Sequence, residues 1–241
     1  MRKERLMTSI TQLIDSALSQ PEKSWAQLSV STRSEKLIEW SHALAEHPKF
    51  GVLAEKMVRF QCQRAQQLIS ETQLMPGPTG ESNELYTAPR GVFYITSDEK
   101  PSVVALMGQI TAALIAGNAI IVGLPSGESD IASLIVDGLH NVNVPTTIVQ
   151  QVNFSEKDIN DVRLAGVCFV GSEQREIELN QQLAKRDGLL AQLIAETDQE
   201  RLTNTTDPHF VLRFITERTR TINVTAVGGN ATLLELGGGN H

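Results

Sequence analysis

From residue 91 to residue 195 short apolar runs alternate with helical faces, and this alternation constrains the fold more than any other feature of the chain. Residues 91–96 (Gly-Val-Phe-Tyr-Ile-Thr) read as a strand, and Val103, Met107, Ile110 and Leu114 mark one face of a helix. A strand at 118–122 precedes a second helical face of Ile131, Leu134, Ile135 and Leu139. Further strands are predicted at 146–152 and 164–170. The second of these runs into Gly171-Ser172 and a helix over 173–185, and a last strand is predicted at 189–195. The strands contain few alternating polar positions. Such strands must be covered on both faces, which calls for a parallel sheet between two layers of helices.

The N-terminal part is helical in pattern. Ile10, Leu13, Ile14, Ala17 and Leu18 recur at helical spacing and Pro21 ends the run. Thr32-Arg-Ser-Glu35 has the form of a capping box before a face of Leu37, Ile38, Ser41 and Leu44. A third face is predicted from Leu53, Met57, Phe60, Arg64 and Leu68, with the Arg64 stem lying along apolar neighbours. Pro76-Gly-Pro78-Thr-Gly80 is a breaker cluster, and a boundary is placed there. Residues 1–75 are then a helical segment and 76–198 a Rossmann-like domain with an arm strand at 82–90. Residues 199–241 are a tail and β arm. Within the tail, 197–208 reads as loop and 209–224 as helix or strand. Residues 220–226 alternate and are β-branched, as a strand requires, and Gly228-Gly229-Asn230 turns the chain before 231–236.

The 241 residues carry a net charge of −7, which disfavours nucleic acid and anionic membrane surfaces as partners. No apolar run approaches a membrane span, and no apolar stretch follows the basic residues near Met1, so no secretory signal is expected. Two cysteines, Cys62 and Cys168, make neither a disulfide framework nor a cysteine-rich metal site. The five histidines include no pair at helical ligand spacing, so no metal is expected. A reduced cytoplasmic protein is the expectation.

Several motifs in order resemble the cofactor-binding half of an aldehyde dehydrogenase. Pro89-Arg-Gly-Val92 resembles the start of that family's first sheet strand. Gly108-Gln-Ile-Thr-Ala-Ala-Leu-Ile-Ala-Gly-Asn118 resembles its helix and turn nearly residue for residue. Pro125-Ser126 and Phe169-Val-Gly-Ser172 fall at its Lys-Pro-Ser and Phe-Thr-Gly-Ser motifs, and Ile194-Ala-Glu-Thr197 resembles the strand end that bears its glutamate base. Leu74-Met-Pro-Gly-Pro-Thr-Gly-Glu-Ser-Asn-Glu84 is similar to the 1-pyrroline-5-carboxylate dehydrogenase module of the proline utilization A flavoenzymes. Residues 221–234 resemble the C-terminal motif of their long members. The resemblance implies a three-layer α/β fold with a β arm.

Departures from the family pattern bear on function. The family attacks its aldehyde with a cysteine thiolate that lies beyond the glutamate, and no cysteine follows Cys168. Cys168 falls inside a predicted core strand and Cys62 on an N-terminal helix, so both are read as inert core thiols. In the resemblance the oxyanion-stabilising asparagine is matched by Lys100, and the ribose-binding lysine by Leu124, or by Gly123 if the gap is moved. Glu176 replaces a glycine in the helix after Gly171-Ser172, where a carboxylate repels a pyrophosphate. Asp198-Gln199 replaces the Gly-Gly after the glutamate. Only Glu196 keeps a catalytic identity, and it is read as a vestigial base at a strand end facing loop or solvent. Gly171, Ser172, Pro125 and Ser126 are the candidates for contact with NAD, although no cofactor is expected. Gly117-Asn118 is read as a left-handed helix end.

These features predict a non-catalytic, aldehyde-dehydrogenase-like partner protein in proline catabolism. The expected partner is a second copy or a proline utilization A-type flavoenzyme, met through Thr221, Ile222, Asn223, Val224, Gly228, Gly229 and Asn230. The alternatives are an NAD-dependent 1-pyrroline-5-carboxylate dehydrogenase and an NAD-binding sensor.

Overall fold

The computed structural model describes residues 9–19, 25–78 and 80–223. Its centre is a five-stranded parallel sheet built from β3 (Val92–Ser97), β4 (Ala119–Val122), β5 (Val149–Gln151), β6 (Leu164–Val170) and β7 (Gln192–Glu196), in the order β5-β4-β3-β6-β7. β3 is the first strand in sequence and sits in the middle, with β4 on one side and β6 on the other. The strand order therefore reverses beside β3, and in open α/β sheets the crevice at the carboxyl ends of such strands is where ligands bind. The predicted parallel α/β fold is the fold observed. The helices α4 (Val103–Ile115), α5 (Ser129–Asn141) and α6 (Glu173–Ala184) connect the strands.

Helix α4 is buried on every side from Ala105 to Ile115. Two helices from the N-terminal part, α2 (Val30–Glu46) and α3 (Gly51–Leu68), cover the side of α4 that the sheet does not, so the N-terminal helices and the sheet share one apolar core. Residues 76–80, where a boundary was expected, link β1 (Gln73–Met75) to β2 (Glu81–Pro89).

The periodicity located these helices but misjudged some details. α2 begins at Val30, one turn ahead of the expected capping box. Its cap is Ser29, whose Oγ accepts from Thr32 N at 3.1 Å, so Thr32 lies inside the helix. A true capping box closes α1 (Ile10–Leu18), between Ser9 and Gln12. The buried stripe of α3 is Ala54, Met57, Val58, Gln61, Cys62 and Ala65, whereas Leu53 is 66% exposed. Small residues at 54 and 65 let α3 approach its neighbours closely, and Leu53 turns outward while Met57 stays in the buried stripe. The last strand starts at Gln192 and not at residue 189; Leu189 and Leu190 lie in the preceding turn, each 86% exposed.

A second sheet of order β1-β2-β8 forms the arm, with β8 (Ile215–Asn223) following a short 3-10 turn at Phe210–Phe214. β2 and β8 pair antiparallel at nine positions, from Glu81 opposite Asn223 to Pro89 opposite Ile215. Thr221, Ile222 and Asn223 lie in β8 of this sheet. Val224, Gly228, Gly229 and Asn230 lie outside the described residues. The root of the arm is fixed by Asn118, which follows the helix-ending Gly117 at φ +92°. Asn118 Oδ1 accepts from Arg90 N at 2.7 Å and Gly91 N at 2.9 Å. Its Nδ2 donates to Ala113 O at 3.0 Å and Phe214 O at 2.9 Å. One buried amide thus joins the end of α4 to both strands of the arm.

Replacing Asn118 by Ala leaves two amides and two carbonyls without their partner. Asn118→Ala is expected to lower unfolding free energy by about 2–4 kcal/mol, read from the urea midpoint at constant slope.

Candidate functional site

The candidate residues gather at the carboxyl ends of β3, β4, β6 and β7. Gly171 and Ser172 form the turn from β6 into α6, and Ser172 is the N-cap of that helix, its Oγ accepting from Arg175 N at 3.4 Å. The turn already holds a carboxylate. Asp98 Oδ2, from the loop after β3, accepts from Ser172 N and from Ser172 Oγ, both at 2.8 Å. Asp98 is itself anchored by its own N–H, which donates to Val170 O at 3.0 Å. A Cβ on residue 171 would lie 2.5 Å from Asp98 Oδ2, so the close approach requires glycine there. Glu173 and Glu176 add two further carboxylates to the first turn of α6, where they complement the helix dipole.

Two more bonds from side chains to backbone amides stitch the same rim. Glu128 Oε1 accepts from Lys100 N at 2.9 Å, and Gln199 Oε1 accepts from Ser102 N at 2.6 Å, at the N-cap of α4. Lys100 itself has a positive φ of 55°. Leu124 is buried in the core, and Pro125-Ser126 leads into a 3-10 turn at Ser126–Glu128 with Ser126 exposed.

Glu196 faces the loop that follows β7, one of the two surroundings expected for it, but it is fully buried there and not open to solvent. Its Oε2 accepts from Asn204 N at 2.9 Å, Thr205 N at 2.8 Å and Thr205 Oγ1 at 3.1 Å. The carboxylate organises the turn over 198–206, whose amides lack helix or strand partners and so draw it inward. Thr205 in turn packs against α3, with its carbonyl accepting from Gln61 Nε2 at 2.6 Å. Sequence patterning had no signal for this network beyond the run of Thr and Asn that can make such turns.

Both thiols are buried. Burial pushes the Cys62 pKa up to about 11 and raises that of Cys168 further, so neither is a thiolate near neutral pH. A buried pair that the motifs did not reveal lies close by. Tyr94 Oη donates to Asp158 Oδ2 at 3.2 Å. Desolvation raises the pKa of Asp158, and that of Tyr94 is raised by desolvation and then by the neighbouring carboxylate. Tyr94 also lies against Gly123, where any side chain would collide with its hydroxyl. Among the described residues no group of His, Cys, Asp and Glu could hold a metal ion. No described helix is long and apolar enough to cross a membrane.

The profile of the aldehyde dehydrogenase family matches residues 52–198. The chain belongs to that family. A curated relative, the bifunctional protein PutA of Rhizobium meliloti, is 31% identical over 165 residues, which is 68% of this chain and 12% of PutA. The solved structure of a proline utilization A with proline bound in remote sites has 27% identity and a TM-score of 0.68, over 79% of this chain and 22% of that one. A Bradyrhizobium japonicum proline utilization A variant gives 26% and 0.70 over the same shares. An NAD-dependent benzaldehyde dehydrogenase from Corynebacterium glutamicum, at 15% identity and TM-score 0.65, shares the fold. The chain spans about an eighth of the curated PutA and about a fifth of the solved ones.

Aldehyde dehydrogenases imply NAD, and the residues present do not fit it. At the Gly171-Ser172 turn both donors of Ser172 are bonded to Asp98, with Glu173 and Glu176 in the first turn of α6. Leu124, one of the two positions matched to the ribose-binding lysine, is buried and offers no donor. Of the four cofactor candidates, Gly171 and Ser172 shape the turn and Pro125 and Ser126 have no polar partner in it.

Two measurements follow from this chemistry. Neither cysteine of the native chain is expected to react with a disulfide thiol reagent until denaturant is added, whereupon both react. Asp158 has a folded-state pKa above its unfolded value, so its contribution to stability is full at acid pH and is lost as pH rises through the raised pKa. Asp158→Asn keeps the acceptor for Tyr94 and is expected to raise the urea midpoint at pH 7, with the gain disappearing as pH falls toward the ordinary carboxylate value of about 4.

Proposed function

We propose that this member of the aldehyde dehydrogenase family is a non-catalytic partner protein of proline catabolism. The observation that carries the reading is the state of Glu196. It alone keeps a catalytic identity of the family, and its carboxylate is fully buried with one oxygen committed to three donors of the 198–206 turn. A general base must reach the proton it removes, and this one faces its own backbone. Two thiols buried in the core supply no nucleophile, and the stitched rim leaves no place for the nicotinamide cofactor.

The arm supports the partner role. Residues 217–223 of β8 are exposed, while the strand is held along its whole length by β2 and by the Arg220–Glu84 ion pair, with Arg220 Nε 2.9 Å from Glu84 Oε2. Among the described residues β8 stands at the end of the strand order β1-β2-β8, and strand edges are templates for another chain. The likeness to proline utilization A supports a partner in proline oxidation: a flavoenzyme of that class, or a second copy of this chain.

The test joins turnover to association. The purified chain is expected to form no NADH from glutamate semialdehyde or simple aldehydes. The intact chain is expected to co-purify with a proline-oxidising flavoenzyme, identified by mass and flavin absorbance, or to sediment as a dimer. Charge reversal at the arm (Arg218→Glu with Arg220→Glu) is expected to abolish that association while the melting temperature changes by only a few degrees. Turnover by the native chain, or a monomer that holds no flavoenzyme, would overturn the proposal.

A further inference from the structure

We infer that residues 153–163 form a strap across the parallel sheet that opens as a unit while the rest of the fold stays closed, and that the buried Tyr94–Asp158 pair is its latch. This goes beyond the partner role and does not depend on it.

The strand order demands a strap. β5 lies at one edge of the sheet and β6 lies beyond β3, so the chain that joins them has to pass β4 and β3. A crossover between parallel strands is usually made by a helix. Here the chain leaves the sheet after Val152, whose N–H donates to Val122 O at 3.0 Å, and rejoins it at Leu164 with one 3-10 turn at Asp158–Asn160 between. The backbone bonds of the strap are local. Asp158 N donates to Ser155 O at 3.0 Å, Asn160 N to Lys157 O at 3.1 Å and Asp161 N to Asp158 O at 3.3 Å. Of its residues only Asp158 and Ile159 are buried, while Phe154 is 37% exposed and Val162 50%. Segments with so little buried surface belong to the low end of local stability.

Side chains hold the strap down. From β3, Tyr94 Oη donates to Asp158 Oδ2 at 3.2 Å, and this bond is buried. From α6, Arg175 Nη2 donates to Glu156 Oε1 at 2.8 Å, Gln182 Nε2 to Glu156 O at 2.9 Å and to Asn160 Oδ1 at 3.0 Å, and Arg186 Nη1 to Ile159 O at 3.1 Å. The bonds to Glu156 and Asn160 are open to water and hold weakly. The fit beneath is incomplete. A cavity with room for about one water lies between Phe154, Glu156 and Ile159 of the strap, Thr96 and Ser97 of β3, and α6. Thr96 Oγ1, Ser97 Oγ and Arg186 Nε are buried and have no hydrogen-bond partner among the described residues. Opening the strap gives such groups water, which lowers its cost.

The latch also titrates. Desolvation disfavours the charged form of Asp158, and the cations around it are engaged elsewhere. Arg175 is paired with Glu156 and Glu178, Arg163 with Asp161 and Asp15, and Arg186 bonds the carbonyls of Ile159 and Leu164, while Lys157 is exposed. Ionised Asp158 is better solvated in the open strap, so opening increases as pH rises through its raised pKa.

The test follows amide hydrogen exchange of the full chain by NMR, at low urea concentrations and several pH values, with rates corrected for intrinsic exchange. The amides of Asp158, Asn160 and Asp161 are expected to share one opening free energy and one urea slope. Both are expected to be smaller than those of Ile120 in β4, whose N–H donates to Ile148 O at 2.7 Å, with at least about a hundredfold less protection. Asn118→Ala, which weakens the root of the arm, is expected to lower the protection of Ile120 and leave the strap amides unchanged. Tyr94→Phe is expected to cost the strap amides about tenfold in protection. From about pH 4 to about pH 8 strap protection is expected to fall about tenfold, and Asp158→Asn to remove that fall. If Tyr94→Phe does not melt cooperatively, the Asp158→Asn comparison tests the latch by itself. Strap amides that match Ile120 in free energy and urea slope, or that open independently of one another, would overturn the inference. So would a folded Tyr94→Phe chain with unchanged strap protection, or a pH dependence that survives Asp158→Asn. Aldehyde turnover by the native chain would sink the partner role but would leave this result standing.

Discussion

Helix α4 is apolar on every side, and a helix of that kind can exist in water only if something covers all of it. The sheet covers one side and α2 and α3 cover the other, so the N-terminal helices are an obligatory layer of the fold. The polar groups of α4 are turned to the same end. Gln109 Nε2 donates to Phe169 O at 2.9 Å and Ile194 O at 3.1 Å, fastening the helix to the carboxyl ends of β6 and β7. At its other end the Trp25 indole N–H donates to Leu114 O at 2.6 Å and Arg33 Nε donates to Ile115 O at 2.8 Å. Arg33 is buried without a carboxylate and is bonded to carbonyls only, and desolvation lowers its pKa to about 10. It acts as a C-terminal cap for α4, where a cation suits the helix dipole.

The family motif over 108–118 makes sense in these terms. Its two side-chain amides, Gln109 and Asn118, tie α4 and its end to other layers: one to the sheet rim, the other to the arm. A Cβ at residue 108 would lie 3.1 Å from Thr205 Cβ of the rim turn and 3.2 Å from Met57 Sδ of α3, so a larger residue would press on the layers that α4 joins. The motif describes a helix that must be wrapped, and it persists here although the chemistry around it has changed.

What the sequence made legible is what repeats along the chain. Strands and helices of the sheet were readable because Val92, Met107, Ile120 and Val167 follow local periods, and the arm strands because β-branched residues alternate. Contacts between distant segments were not. The α3 stripe was misjudged because burial there depends on how closely α2 and α4 approach, and not on side-chain size. That Glu196 faces a loop was legible, but its full burial was not, because the amides that bury it, of Asn204 and Thr205, belong to a turn with no pattern of its own. Asp98 was silent for a related reason: its partner is 74 residues away, and an aspartate in a loop looks like any other until Ser172 is beside it.

The arm has a consequence for the order in which the molecule assembles. Arg220 and Glu84 are separated by 136 residues, and almost the entire parallel sheet lies between them. Closing so long a loop is entropically unfavourable unless the intervening chain is already compact. β2 therefore waits, as the chain grows or refolds, until the sheet has formed and the 3-10 turn at 210–214 has brought β8 to Asn118. The paired arm is then the last part of the structure to form, and a half-folded molecule carries β2 without its partner strand.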